Sequence, residues 1–170
     1  MSQAARVQTV GARRIRARDR LVNEEPLRAP FPWFGGKSRV APEVWERFGD
    51  PVNYVEPFAG SLAVLLARPS DPSIETVNDL DCYLANFWRC FSAMTGAAYE
   101  GVPPDDVAAE VARWADAPVN EADLHARHRW LVDHVEFRER MRRDPFFFDA
   151  RIAGWWVWGS RYTGCTWRTR

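Results

Sequence analysis

Three short stretches of this chain hold side chains whose types and order suit chemistry. Glu56-Pro57-Phe58-Ala59-Gly60 closes one apolar stretch, and Asp79 closes another about twenty residues later. In an open α/β sheet, ligands bind outside the carboxyl ends of the strands. A glycine at such an end, here Gly60, lets the backbone come close to a ligand. An acidic group at the end of the next strand, here Asp79, can accept hydrogen bonds from ribose hydroxyls. The glycines do not form Gly-x-Gly-x-x-Gly, which disfavours a dinucleotide pyrophosphate. One small glycine turn with two carboxylates, Glu56 and Asp79, suits a nucleoside without phosphates, best a cationic one. Asp79 suits an ordinary strand-end cap equally well.

The third stretch is Trp33-Phe34-Gly35-Gly36-Lys37-Ser38, and Lys37 is the only lysine of the chain. Gly-Gly-Lys-Ser invites a phosphate-loop reading. That loop needs a further glycine where this chain has Phe31, and a strand ahead of it where this chain has Pro30 and Pro32. A lysine flanked by glycines and aromatics can instead hold a carboxylate, with Trp33 as a stacking wall. Lysine for a carboxylate, aspartate for a ribose and rings for an adenine or a sulfonium together describe S-adenosylmethionine.

Other candidates have plainer readings. His125 and His128 are spaced i, i+3, with His134 six further on, but no cysteine or carboxylate set completes a metal tetrahedron. A solvated, charged helix face is expected there, and no metal site. Cys82 and Cys90 read as packing residues. Trp155, Trp156 and Trp158 read as core, with base stacking as the rival. Residues 1–29 form a basic arm holding Arg13, Arg14, Arg16, Arg18 and Arg20. A solvated disordered tail and a phosphate-tracking arm are its two readings.

The elements that must position these groups follow from punctuation and period. A loop over 31–38 leads to a helix starting at Ser38 or Pro42, with Val40, Val44, Trp45 and Phe48 inward; Gly49-Asp50-Pro51 ends it. Val52 to Phe58 predicts a short buried strand, Leu62 to Ala67 a short apolar helix, and Ile74 to Val77 a second strand. A helix from Asp79 or Leu80 carries Leu80, Tyr83, Leu84, Phe87, Trp88 and Phe91 on one face. Alternation of this kind points to a parallel α/β sheet. Residues 103–117 and 120–143 predict two helices, the second capped by Asn120, and 149–159 a last apolar helix.

Composition bounds the class. The chain has 170 residues, 23 basic and 23 acidic, so its formal net charge is zero. A uniformly basic DNA-coating protein is excluded. With 46% hydrophobic and 27% charged residues, wholesale disorder is excluded too. No apolar run reaches the roughly 20 residues of a membrane span. No secretory signal is expected from the amino-terminal residues, whose arginines are followed by no apolar stretch. Three cysteines without a Cys-x-x-Cys pair suit reduced thiols, so a cytoplasmic setting is expected.

The strings Pro-Trp-Phe-Gly-Gly-Lys-Ser, Tyr-Val-Glu-Pro-Phe-Ala-Gly-Ser and Val-Asn-Asp-Leu-Asp, in this order and spacing, resemble the amino half of Dam-type adenine-specific DNA methyltransferases. The resemblance covers residues 31 to about 91 strongly. It implies a Rossmann-like methyltransferase fold of the α/β class with a partial sheet over 30–100. A helical start of the target-recognition region would follow over 101–170. It implies S-adenosylmethionine as cofactor, bound by Trp33, Lys37 and Asp79, with Glu56, Phe58 and Gly60 shaping the pocket. Double-stranded DNA would be the substrate and partner. Two departures stand out: Asp81 replaces a frequent asparagine, and the Ala59-Gly60-Ser61 turn has few glycines. The larger departure is that no Asp-Pro-Pro-Tyr catalytic signature occurs. Val102-Pro103-Pro104-Asp105 has the wrong order, and Asp144-Pro145-Phe146-Phe147 lacks the second proline and reads as a helix stop. No catalytic residue is therefore assigned. The expectation is a truncated form carrying the cofactor half and inactive alone. The alternatives are a non-catalytic cofactor- or DNA-binding remnant, or one half of a split enzyme completed by a downstream polypeptide. Gly159 to Arg170 reads either as a recognition loop presenting Arg161 and Arg168 or as out-of-frame sequence.

Overall fold

The structure, a computed structural model, describes residues 27–92 and 104–163. The arginine run of the amino-terminal arm and Arg168 lie outside the described residues. So does the Val102-Pro103 start of the first rejected signature.

The first element, α1 (Ala41–Phe48), carries Pro42 in its first turn and ends at Gly49. The strand β1 (Asn53–Glu56), the single turn α2 (Ala63–Leu66) and the strand β2 (Ile74–Val77) follow. The two strands pair in parallel, Asn53 beside Ile74 through Glu56 beside Val77. Tyr54 packs into a small core with Ala41, Trp45 and Val64, and Glu56 is buried on the same face of β1. The Trp45 indole N–H bonds the Val64 carbonyl at 2.6 Å. Arg68 closes this unit from below, donating to the Pro51 carbonyl at 3.0 Å and to the carboxylates of Asp50 and Glu75 at 3.1 Å each.

Two expectations change here. The 52–58 stretch is not a fully buried strand: it alternates, and Val52, Val55 and Phe58 are exposed. All of β2 is exposed as well. Parallel strands read as buried apolar runs when helices cover both faces, and α1 and α2 cover one. In α1, Trp45 is buried and Val44 packs beside it, whereas Phe48, and Val40 just ahead of the helix, are exposed.

The rest of the chain is helical. It comprises α3 (Cys82–Phe91), α4 (Pro104–Ala115), α5 (Glu121–Asp133), α6 (Val135–Arg143) and α7 (Ala150–Thr163). One large core joins them, with Leu84, Phe87, Cys90, Val111, Leu131, Met141 and Trp158 buried together. Helices α4 and α7 meet so closely that a Cβ on Gly154 would stand 2.4 Å from the Trp114 Cβ. Phe31 belongs to this core, edge-on to Phe87 at 5.0 Å and to Trp156 at 5.4 Å. The loop before α1 is thus anchored on the helical layer.

Three helix boundaries also differ from expectation. Asp81 caps α3, accepting from the Tyr83 and Leu84 backbone N–H groups, so Leu80 stays outside the helix and is 99% exposed. The 120–143 helix breaks at His134, whose Nδ1 lies 2.7 Å from the Trp130 carbonyl. That carbonyl is the one the His134 N–H would use in an unbroken helix. Helix α7 runs on through Gly159, Ser160 and Arg161 to Thr163, so these residues are helical rather than a loop. Asn120 does cap α5, accepting from the Asp123 N–H at 2.8 Å.

Candidate functional site

The six residues singled out by sequence meet at one turn. Tyr54 and Glu56 are i, i+2 neighbours on the covered face of β1, and the Tyr54 hydroxyl donates to Glu56 Oε2 at 3.0 Å. Burial, and then the Glu56 charge, push the Tyr54 phenol well above its ordinary pKa, so it stays a donor. Glu56 is 5% exposed. Its Oε1 lies 2.9 Å from Lys37 Nζ, an ion pair, yet accepts no well-aligned hydrogen bond. The Lys37 ammonium also donates to the Phe58 carbonyl. Lys37 thus ties the loop before α1 to the end of β1, while the Phe58 ring stands 80% exposed.

Gly60 follows with φ +53°. An ideal Cβ on it would sit 2.6 Å from Trp33 Nε1, so only glycine lets this indole lie against the turn. The Gly60 N–H donates to Asp79 Oδ2 at 3.0 Å, and the Asp81 N–H to Asp79 Oδ1 at 3.1 Å. The Trp88 indole N–H donates to the Gly60 carbonyl at 3.0 Å. The Asp79 carboxylate is therefore aimed by two backbone donors, and each oxygen keeps capacity for another.

Of the six, Trp33 and Asp79 each line a cavity, and the two cavities differ. Trp33 lines an open cleft of about 1270 Å³ with Phe31, Ser38, Trp45 and Ser61. Asp79 lines a smaller cavity of about 330 Å³ with Ala59, Asn78, Trp88, Arg89 and Ser92. Lys37, Glu56, Phe58 and Gly60 line neither. The smaller volume falls at the lower end of the roughly 300 to 1,000 Å³ of small-molecule sites. A carboxylate with spare acceptor capacity, an indole and an amide stand at its wall.

Sequence reading missed Asn78, Trp88 and Arg89 as cavity residues. Trp88 was assigned to the apolar face of its helix. The available signal for Arg89 was a guanidinium inside the apolar run Phe87-Trp88-Arg89-Cys90-Phe91. The other candidates settle plainly. Trp156 and Trp158 are buried, and Trp155 is half-buried beneath Arg127 and Arg151, whose guanidinium carbons lie 5.3 and 5.6 Å from its ring centre. Cys90 is buried, which pushes its thiol up to about 12. His125 is exposed and faces Glu121 at 3.8 Å. Among the described residues no group of three metal-ligating side chains stands together, and no helix is long and apolar enough to cross a membrane.

The parallel strand pair ends in a glycine turn beside an aimed carboxylate. Residues 33–144 match the family model of D12 class N6 adenine-specific DNA methyltransferases, and the chain belongs to that family. No curated protein and no solved structure matches it.

Proposed function

We propose that this chain holds S-adenosylmethionine for methylation of the exocyclic amine of adenine in double-stranded DNA. The observation that carries the reading is the Asp79 carboxylate, fixed by the Gly60 and Asp81 N–H groups at the wall of a nucleoside-sized cavity. Asp79 accepts from the ribose hydroxyls. Gly60 lets the turn approach the nucleoside, and Trp33 backs that turn. Lys37 and Glu56 hold it in register, and the exposed Phe58 ring offers an aromatic face at its rim. When bound, the cofactor supplies an electrophilic methyl group on a sulfonium. The β1 and β2 pair is read as part of a Rossmann-like sheet.

These 170 residues contain no Asp-Pro-Pro-Tyr signature. Acceptance of the adenine amine and stacking of the flipped base are therefore assigned to residues outside these 170. Calorimetric titration tests the cofactor half. Binding is expected with the chain as it stands and is lost in Asp79→Ala; no heat at millimolar cofactor would sink the reading. Duplex DNA should gain no methyl groups from the purified chain. It should gain them after co-expression with a polypeptide bearing the missing signature.

A further inference from the structure

The tryptophans of α7 belong to a feature that the reading above leaves unused: guanidiniums and indoles alternate across three helices. The guanidinium carbon of Arg113, on α4, lies 5.0 Å from the Trp114 ring centre. That of Arg151, on α7, lies 5.9 Å from Trp114 and 5.6 Å from Trp155. That of Arg127, on α5, lies 5.3 Å from Trp155 and 4.3 Å from Trp158. Arg151 also stands 4.4 Å over Trp130, so three indoles bracket it. Trp155 meets Trp114 and Trp130 edge-on at 5.7 and 4.9 Å, which fixes the bracket. Stacking of nucleic-acid bases needs an open aromatic face. Trp158 is buried and Trp155 lies beneath two guanidiniums, so neither offers one. Arg151, Trp155 and Trp158 all lie beyond the stretch that the family model matches.

A cation over an indole can simply brace two helices. Charge balance separates a brace from a binding face. Arg113 has a carboxylate, Glu110, at 3.6 Å, and its side chain is 70% exposed. The side chains of Arg127 and Arg151 form no hydrogen bond or ion pair among the described residues. Arg127 Nη1 is buried without a partner, so positive charge also stands uncompensated beneath Trp155. Arg151 is exposed, yet its three indoles hold it in place. Such a guanidinium is weakly hydrated, already ordered and without a carboxylate to give up, so it loses little on meeting an anion. Its planar fork matches a phosphate in two parallel hydrogen bonds. Arg113 and Arg151 share the Trp114 ring, so two exposed cations stand side by side on one face.

We propose that this ladder is a contact face for the phosphate backbone of duplex DNA, with Arg151 and Arg113 each taking a phosphate and Arg127 adding charge from beneath. This rests on the reading of duplex DNA as the substrate. It goes beyond that reading by naming a face that grips the duplex without reading its sequence, since phosphate contacts position a protein and base contacts specify the site.

The test measures fluorescence anisotropy of a labelled duplex with the full chain over a salt series, with no cofactor present. Arg151→Met keeps an unbranched side chain against the indoles and loses the charge. It should bind duplex at least tenfold more weakly at low salt, and its plot of log affinity against log salt should flatten by about 0.9, the share of one phosphate contact. Arg113→Met should flatten the plot by a similar amount. Arg151→Lys should keep the slope and lose about threefold in affinity, because an ammonium keeps the charge without the fork. Each loss should be equal for two duplexes of unrelated sequence. Arg47→Met is the control: its exposed guanidinium pairs with Glu43 at 2.6 Å on α1, and both readings should stay unchanged. A ladder that only braces helices would lower the thermal midpoint of Arg151→Met while leaving affinity and slope as in the unaltered chain, and that result overturns the proposal. So would a loss confined to one duplex sequence. Competition by polyglutamate as strong as that by unlabelled duplex of equal charge would make this a face for acidic protein and overturn it too. If the unaltered chain binds no duplex at low salt, the DNA reading fails first and takes this one with it; if it binds and the arginine variants match it, this proposal fails alone.

Discussion

Replacing Gly60 with alanine separates two costs that the structure assigns to one position. A non-glycine residue at φ +53° pays about 1–2 kcal/mol for the left-handed backbone. The new Cβ would also lie 2.6 Å from Trp33 Nε1 and 2.8 Å from its Cδ1. The indole cannot swing aside freely, because Phe31 and Trp156 flank it at 6.1 and 5.9 Å between ring centres. Relieving such an overlap in a packed setting costs about 1–3 kcal/mol more. Gly60→Ala should therefore lose roughly 2–5 kcal/mol, read from urea unfolding followed by far-ultraviolet circular dichroism. Gly35 supplies the control. Its φ is +70° and nothing stands within 4 Å of the place a Cβ would take, so Gly35→Ala pays the backbone term alone. The double variant Trp33→Ala, Gly60→Ala should regain the steric share, after the cost of Trp33→Ala alone is subtracted. The same substitution shifts the N–H that aims Asp79, so affinity for S-adenosylmethionine should fall at least tenfold. Equal stability losses at positions 35 and 60, with cofactor affinity intact, would refute the reasoning.

Two further outcomes follow from buried polar groups. Fully buried Asn86 exchanges two 2.8 Å hydrogen bonds with the Asp149 backbone, so Asn86→Ala should cost about 2–3 kcal/mol in the same urea assay by leaving both groups unpaired. Burial raises the Asp81 pKa above 3.8, against the pull of the Tyr83 and Leu84 N–H groups. The folded state then holds this proton more tightly than the unfolded one. The resulting penalty is absent well below pH 3.8, grows as pH rises through the folded pKa and is complete above it. Asp81→Asn keeps a helix cap without the charge, so its stability relative to the parent should improve across that window; a flat difference between pH 3 and 7 would contradict this.

What the sequence made legible was local. Ile74 to Val77 is a strand from end to end because the β-branched Ile74, Thr76 and Val77 stand between Pro72-Ser73 and Asn78-Asp79. Asn120 was readable as a cap because its acceptor stands just ahead of a helical period. The end of β1 and the turn after it were readable because Pro57 and Gly60 interrupt the strand period. Features set by distant partners were not legible. The exposure of Val55 depends on what covers the second face of the sheet. The break at His134 depends on a side chain competing for one carbonyl, and the passage of α7 through Gly159 depends on packing that outweighs glycine's poor helix propensity. Arg89 was hidden for a related reason: its partners lie more than fifty residues away in sequence.

The distribution of buried groups also decides which part of the molecule positions the Gly60 turn. The sheet contributes only Tyr54 and Glu56 to a core, and two strands alone are marginal in water. The helical layer reaches the turn from two directions. Phe31 packs between Phe87 and Trp156 and delivers Trp33 to the Cβ side of Gly60. Trp88, beside Phe87 on α3, delivers its indole N–H to the Gly60 carbonyl. Helix α3 therefore buries Phe87 and Cys90 in the helical core, presents Trp88 and Arg89 to the cavity, and starts at the Asp81 cap whose own N–H aims Asp79. The turn sits where the helices put it, and the strands supply its direction. Substitutions in the aromatic core of α7, far from Asp79 in sequence, thus act on the cavity through Phe31 and Trp33.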